Sequence, residues 1–381
     1  MNALAEPLAI DLSFEEDELV VDSGQLRPVL ARLAELQVGF SGIAEDDRLG
    51  LSLLTGLTGV QGSLDDLLTR LRDGFRADFG GWTPELGKHR QTVGTIGPAG
   101  PKPMVLTAGP KPMTGGVPTP ATGPDKPEPA PAPDAGRGVR VGIVDTPVYR
   151  HPAFAGHDIE TTTWLRRGGT PLHRRSGHGT FVSSIILSYA PAARLHVAGA
   201  LAAETGGGSE WEVAQHIVRL GAEVDILNLS LASHTGDGEI SLVLRRAIDR
   251  LPRHVLVIAA AGNHGDLQPP AATPAFGPKS PTWPAALPGV VAVGALDQTG
   301  VPAPFSPKAP WVDCEARGFE VAAAYPNDTG WATWSGTSFA AAVVTGAVAA
   351  RTVPAVVSAR EVLEQLLADG SSVVKPFEAG S

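Results

Sequence analysis

The sequence predicts a two-part α/β protein: a doubly wound, mostly parallel sheet with helices on both faces, preceded by a small helical or α+β N-terminal module. Three observations carry this. Beyond residue 138, short all-apolar runs alternate with helical stretches, as a sheet covered on both faces requires. Between Gly97 and Gly138 lie twelve of the 34 prolines and few large apolar residues. Ahead of that stretch the periodicity is helical. The expected division is an accessory module over 1–96, a Pro/Gly-rich linker over 97–137 and the main domain over 138–381.

Within the module, Leu26, Val29, Leu30, Leu33 and Leu36 recur at helical spacing, and Ser63 with Asp66 forms a capping pair ahead of Leu64, Leu67, Leu68 and Leu71. Gly81 to Gly87-Lys88-His89 departs from a phosphate loop: five residues separate the glycines, and His89 stands where a hydroxyl should hold magnesium. The linker repeats itself, Ala99-Gly100-Pro101-Lys102-Pro103-Met104 against Ala108-Gly109-Pro110-Lys111-Pro112-Met113, and reads as a semi-extended spacer. In the main domain, 139–144, 194–198, 225–231, 255–260 and 290–296 read as buried strands. Helices are expected over 180–188, 210–220, 240–251 and 337–351, then over 361–368 behind the capping box Ser358-Ala359-Arg360-Glu361.

Composition narrows the function classes. Of 381 residues, 43% are apolar and 18% charged, so the 45 glycines and 34 prolines do not signal low complexity. A net charge of −10 with no basic stripe argues against nucleic acid as a partner. The single Cys314 excludes an internal disulfide and any multi-cysteine metal site. No apolar run is long enough to span a bilayer, and the N-terminus lacks the basic start of a signal peptide. A soluble, cytoplasmic chain is expected, and its Ala, Gly, Pro and Arg content suggests a bacterial source.

In a doubly wound sheet the working residues sit at the carboxyl ends of strands and in the loops that follow. Asp145 ends Val141-Gly142-Ile143-Val144; His178 lies in Ser176-Gly177-His178-Gly179-Thr180 at a helix start; Asn263 ends the run 255–262; Ser338 lies in Ser335-Gly336-Thr337-Ser338 at another helix start. Together they suffice for acyl transfer. An imidazole must take the proton of a serine hydroxyl, and a carboxylate must orient that imidazole. Backbone N–H groups at the helix start and the Asn263 amide are the donors for an oxyanion. Taken singly, each residue has a plainer role: helix cap, turn residue or core histidine. The other histidines are assigned no catalytic role, and Cys314 reads as a small buried hydrophobe.

The chain resembles the subtilisin-like serine peptidases, whose triad runs Asp, His, Ser along the chain. The resemblance rests on Val141-Gly142-Ile143-Val144-Asp145-Thr146, Gly177-His178-Gly179-Thr180, Ile226-Leu227-Asn228-Leu229-Ser230-Leu231, Ala260-Ala261-Gly262-Asn263, Trp283-Pro284-Ala285-Ala286 and Gly336-Thr337-Ser338-Phe339-Ala340 with Gly346. It covers about residues 138–370 and implies a serine endopeptidase with Asp145, His178, Ser338 and Asn263 as catalytic residues. It also implies substrate contacts at Ser230, Leu231, Ala232, Gly207, Gly208, Ala261 and Gly262, a protein or peptide substrate added as a strand, and no cofactor beyond the calcium common in that family. No Asp-rich calcium loop stands out. Pro147, Ala232, Ala342 and Ala316-Arg317-Gly318 depart from the family pattern without removing a reacting atom. The rival reading is a catalytically silent scaffold that binds extended peptides. Family members often carry an N-terminal prosegment that blocks the cleft; residues 1–96 occupy that place, either as an inhibitory or folding module or as a docking domain for a partner.

Overall fold

The structure, a computed structural model, describes residues 14–94, 118–165, 176–203, 206–235, 238–265 and 277–378. In the first unit β1 (Phe14–Asp22), α1 (Leu26–Glu35), β2 (Gly42–Asp46), β3 (Leu51–Thr55), α2 (Leu64–Asp78) and β4 (Leu86–Gly94) follow one another. Antiparallel pairing orders the strands β4-β1-β3-β2. This is a split βαβ arrangement, so the module is α+β. Both expected helices form, and Ser63 and Asp66 make a reciprocal capping box at the start of α2. Alternation along β1 explains the layering: Leu19 and Val21 pack with Val29 and Leu33 of α1 and Leu67 and Leu71 of α2. Val20, Leu51 and Leu53 face the opposite way and join the core of the second unit. Lys88 and His89 belong to β4, bonded to Asp65 at 2.6 Å and to Glu18. They form no phosphate loop.

The second unit runs β5 (Thr119–Pro120), β6 (Arg140–Asp145), β7 (Val148–Tyr149), β8 (Ile159–Thr161), β9 (Trp164–Leu165), α3 (His178–Tyr189), β10 (Arg194–Gly199), β11 (Gly207–Ser209), α4 (Glu210–Gly221), β12 (Ile226–Leu229), β13 (Leu231–Ala232), α5 (Leu242–Asp249), β14 (Leu256–Ala260), β15 (Val290–Leu296), β16 (Cys314–Arg317), β17 (Val321–Ala324), β18 (Trp331–Trp334), α6 (Thr337–Arg351), α7 (Ala359–Ala368) and β19 (Val374–Pro376). Eight strands form the main sheet in the order β19-β16-β15-β14-β12-β6-β10-β8, parallel except at β19. One face carries α3, α6 and α7, through Phe181, Ile186, Val344 and Val362. The other carries α4 and α5, through Trp211, Ile217, Val243 and Leu244. Strand order reverses beside β6, where an open α/β sheet places its ligand site.

The expected strand over 225–231 is broken. Ile226–Leu229 stays in the main sheet, whereas Leu231–Ala232 leaves it to pair with β4. At the break the Ser230 hydroxyl accepts from Asn228 and donates to the Ser338 carbonyl. Helix α3 begins at His178, two residues before expectation, and α5 spans only Leu242–Asp249, capped by the Ser241 hydroxyl. Helix α6 runs unbroken through Ala342. Residues 118–137 of the sequence-read linker lie along this unit: β5 pairs with β18, Asp125 meets Arg317 at 3.1 Å, and the Ala192 N–H donates to the Ala135 carbonyl at 3.0 Å. The doubled motif at 99–113 lies outside the described residues. Among the described residues no helix is long and apolar enough to cross a membrane.

Candidate active site

The sheet delivers Asp145 at the carboxyl end of β6, fully buried. Its Oδ1 accepts the Thr146 N–H at 2.6 Å, and its two oxygens lie 2.7 and 2.9 Å from Nδ1 of His178. A carboxylate only accepts, so Nδ1 carries the proton and Nε2 presents a lone pair. Nε2 is itself buried and makes no hydrogen bond. The imidazole sits against Trp334, edge to face at 5.6 Å, and against Phe339 at 5.5 Å. Gly179, the next residue, donates its N–H to the Thr146 hydroxyl at 2.9 Å, which ties the start of α3 to the end of β6.

Ser338 is buried as the second residue of α6. Its hydroxyl makes a long 3.4 Å contact with the Ser230 carbonyl, while its own carbonyl accepts the Ser230 hydroxyl at 3.0 Å. Asn228 donates to Ser230 at 2.9 Å and accepts from Thr345 at 3.0 Å, so a buried polar chain joins β12 to α6. Asn263 follows β14. Its Oδ1 accepts from the backbone and hydroxyl of Thr337 at 2.9 and 3.2 Å, which leaves the amide NH₂ as the donating end. The Thr337 hydroxyl also accepts the Gly262 N–H at 3.0 Å. Gly262 has φ +93°, a conformation that excludes most side chains.

Five of the residues assigned to substrate contact, Gly207, Gly208, Ser230, Leu231 and Ala232, border one groove, and that groove is filled. Gly207 and Gly208 lie in β11, Leu231 and Ala232 in β13, with Ser230 just ahead. Antiparallel pairing sets β4 of the module between them: Gly207 opposite Val93, Gly208 opposite Thr92, Ser209 opposite Gln91, Leu231 opposite Gly94 and Ala232 opposite Val93. Ala261 is buried behind the Asn263 turn, its N–H bonded to Val293 and its carbonyl to the Thr282 hydroxyl.

Fold and site together define an α/β protein carrying a serine, an imidazole and a carboxylate at a strand-order reversal. The model of the subtilase family matches residues 136–366, and the chain belongs to that family. It is 31% identical over 224 residues to the thermostable alkaline protease of Halalkalibacterium halodurans, an alignment covering 56% of each chain. To subtilisin Savinase of Lederbergia lenta it is 32% identical, over 56% of this chain and 76% of that one. The chain thus spans little more than half the length of the first relative. Among solved structures, the prenylagaramide maturation protease PagA matches at 30% identity and a TM-score of 0.48, over 58% of this chain and 75% of PagA.

Several supporting residues escape a sequence reading. Thr337 and Thr146 adjoin Ser338 and Asp145, and that adjacency is the signal that could have found them. Asn228, Thr345 and Trp334 carry no such signal, because only the tertiary fold brings them to the site. Cys314 is buried, and burial raises its thiol above the ordinary range, so it is a core residue and not a nucleophile. Among the described residues no three His, Cys, Asp or Glu side chains converge as a metal site.

Proposed function

We propose that this protein is a serine endopeptidase held in check by its own N-terminal module. The observation that carries the chemistry is the buried Asp145–His178 pair, which fixes the tautomer whose Nε2 can accept a proton. Ser338 Oγ attacks the scissile carbonyl and its proton passes to His178 Nε2. The tetrahedral oxyanion is held by the Asn263 NH₂ and the Ser338 N–H. His178 then protonates the departing amine as the C–N bond breaks, leaving an acyl-enzyme. Water, deprotonated by the same imidazole, releases the acid and restores Ser338. A turn of the Ser338 side chain from Ser230 toward the imidazole precedes attack, a tightening common as a site closes on substrate. The protease names of the relatives support the same activity.

Substrate enters as an extended strand between β11 and β13, the position β4 now holds. That occupancy supports an inhibitory role for the module rather than recruitment of a partner. A fluorophosphonate should label Ser338 covalently and fail to label Ser338→Ala. The silent-scaffold reading finds support in the Ser338 hydroxyl facing Ser230 rather than His178, and it predicts no labelling in either protein.

A further inference from the structure

Glu210, the first residue of α4, directly follows β11 and is fully buried. Neither carboxylate oxygen has a hydrogen-bond partner within 3.5 Å. A buried unpaired carboxylate is costly and persists where something outside the fold completes it. The groups that face it come from every side of the groove: the hydroxyl of Ser241 at the start of α5, that of Ser233 just past β13, and the charges of Arg90 and His89 on β4. His89 is engaged elsewhere, with Glu18 on one nitrogen and the Ser209 hydroxyl at 2.8 Å on the other. Burial pushes the Glu210 carboxyl above its ordinary range, and the two hydroxyls and Arg90 offset this only in part.

We propose that Glu210 is a specificity residue: the groove selects substrates with a basic side chain ahead of the cleaved bond. The position follows from register. Gly94 stands opposite Leu231, and the next residue toward Ser338 is Ser230, whose carbonyl the Ser338 hydroxyl contacts. A substrate residue opposite Ser230 precedes the cleaved bond, so residues in the places of Gly94, Val93, Thr92, Gln91 and Arg90 are the second to sixth ahead of it. Glu210 adjoins Ser209, which is opposite Gln91, so the basic residue falls at the fourth to sixth position. A guanidinium there would supply the donors that both oxygens lack.

This inference deepens the peptidase reading and rests on it for the register. The test uses the full chain and matched fluorogenic octapeptides carrying arginine or norleucine at the fourth, fifth or sixth residue ahead of the cleaved bond. The ratio of kcat/KM within a pair is independent of β4 occupancy, since both peptides compete against the same strand. Wild type should favour arginine at one of these positions by about tenfold or more, and in Glu210→Gln, an isosteric change, the ratio should fall to within about twofold. No preference in wild type, or a preference retained by Glu210→Gln, overturns the proposal. If no peptide is hydrolysed, the peptidase reading has failed, and fluorescence anisotropy of the same peptides on the full chain decides selectivity: tighter binding of the arginine peptide, lost in Glu210→Gln, supports it, and equal binding sinks it.

Discussion

Thr337 shows how one unreactive side chain sets the geometry of a site. Its hydroxyl and backbone hold Gly262 and the Asn263 oxygen, and so decide which end of that amide would face the oxyanion of the proposed mechanism. Thr337→Val keeps the volume and removes the hydroxyl. It should lower kcat/KM by about tenfold to a hundredfold, expressed mainly in kcat, while the protein stays folded. A second residue-scale consequence concerns stability. Burial lowers His264 from 6.5 to about 4 and, with the nearby charge of His264, pulls His234 well below its ordinary value. The unfolded chain takes up both protons near 6.5, whereas the folded chain protonates His264 only at about 4 and His234 only well below its ordinary value. The stability they contribute is therefore present above pH 6.5 and lost as pH falls toward 4. In His264→Gln the fall in Tm between those pH values should shrink, on the order of 5 °C; an unchanged fall would assign acid unfolding to other groups.

At the scale of elements, α3 brings the imidazole and α6 the serine, and the two helices pack at Gly346. A Cβ there would lie 2.8 Å from Tyr189 Cβ and 3.0 Å from the Ile186 carbonyl oxygen. Gly346→Val should push the helices apart, cost about 1–3 kcal/mol of stability and depress fluorophosphonate labelling of Ser338 more than Tm alone explains. Unaltered labelling would show that His178 and Ser338 are positioned from elsewhere. The elements of the main sheet were legible because strands buried on both faces must be apolar throughout, as 290–296 is. The break at Ser230 was not legible, since Leu231 and Ala232 leave the main sheet to pair with Gly94 and Val93, far away in sequence. The module's strands were missed for a related reason. β2 has no buried residue, and the β4 stretch Lys88-His89-Arg90-Gln91 reads as polar loop until β1 and β11 supply edges to pair with. Asp145, His178, Asn263 and Ser338 were legible as candidates because each sits at a strand end or helix start; the occupied groove was not, because it joins residues more than a hundred positions apart.

Across the whole molecule, the module is bound by more than one strand. Val20, Leu51 and Leu53 pack into the core around α4 and α5. Arg246 of α5 pairs with Asp22 at 2.9 Å and with Glu85, and Gln215 of α4 donates to Asp46 at 2.9 Å. These contacts make β4 an intramolecular ligand at high effective concentration. Arg246→Ala should loosen the module and raise basal peptide hydrolysis several-fold, and higher salt should act in the same direction on wild type. A variant no more active than wild type would mean that the apolar contacts alone retain it.

The proposed mechanism makes Ser338 competent beneath a self-supplied strand. It is tested most directly by the rate at which a fluorophosphonate labels the full chain, wild type against Val93→Pro, read by intact mass. Proline at 93 removes a ladder donor from a strand paired on both sides. Labelling at Ser338 should be slow in wild type, at least about tenfold faster in Val93→Pro, and absent in Ser338→Ala. Equal rates in wild type and Val93→Pro, or no labelling of either, would contradict it.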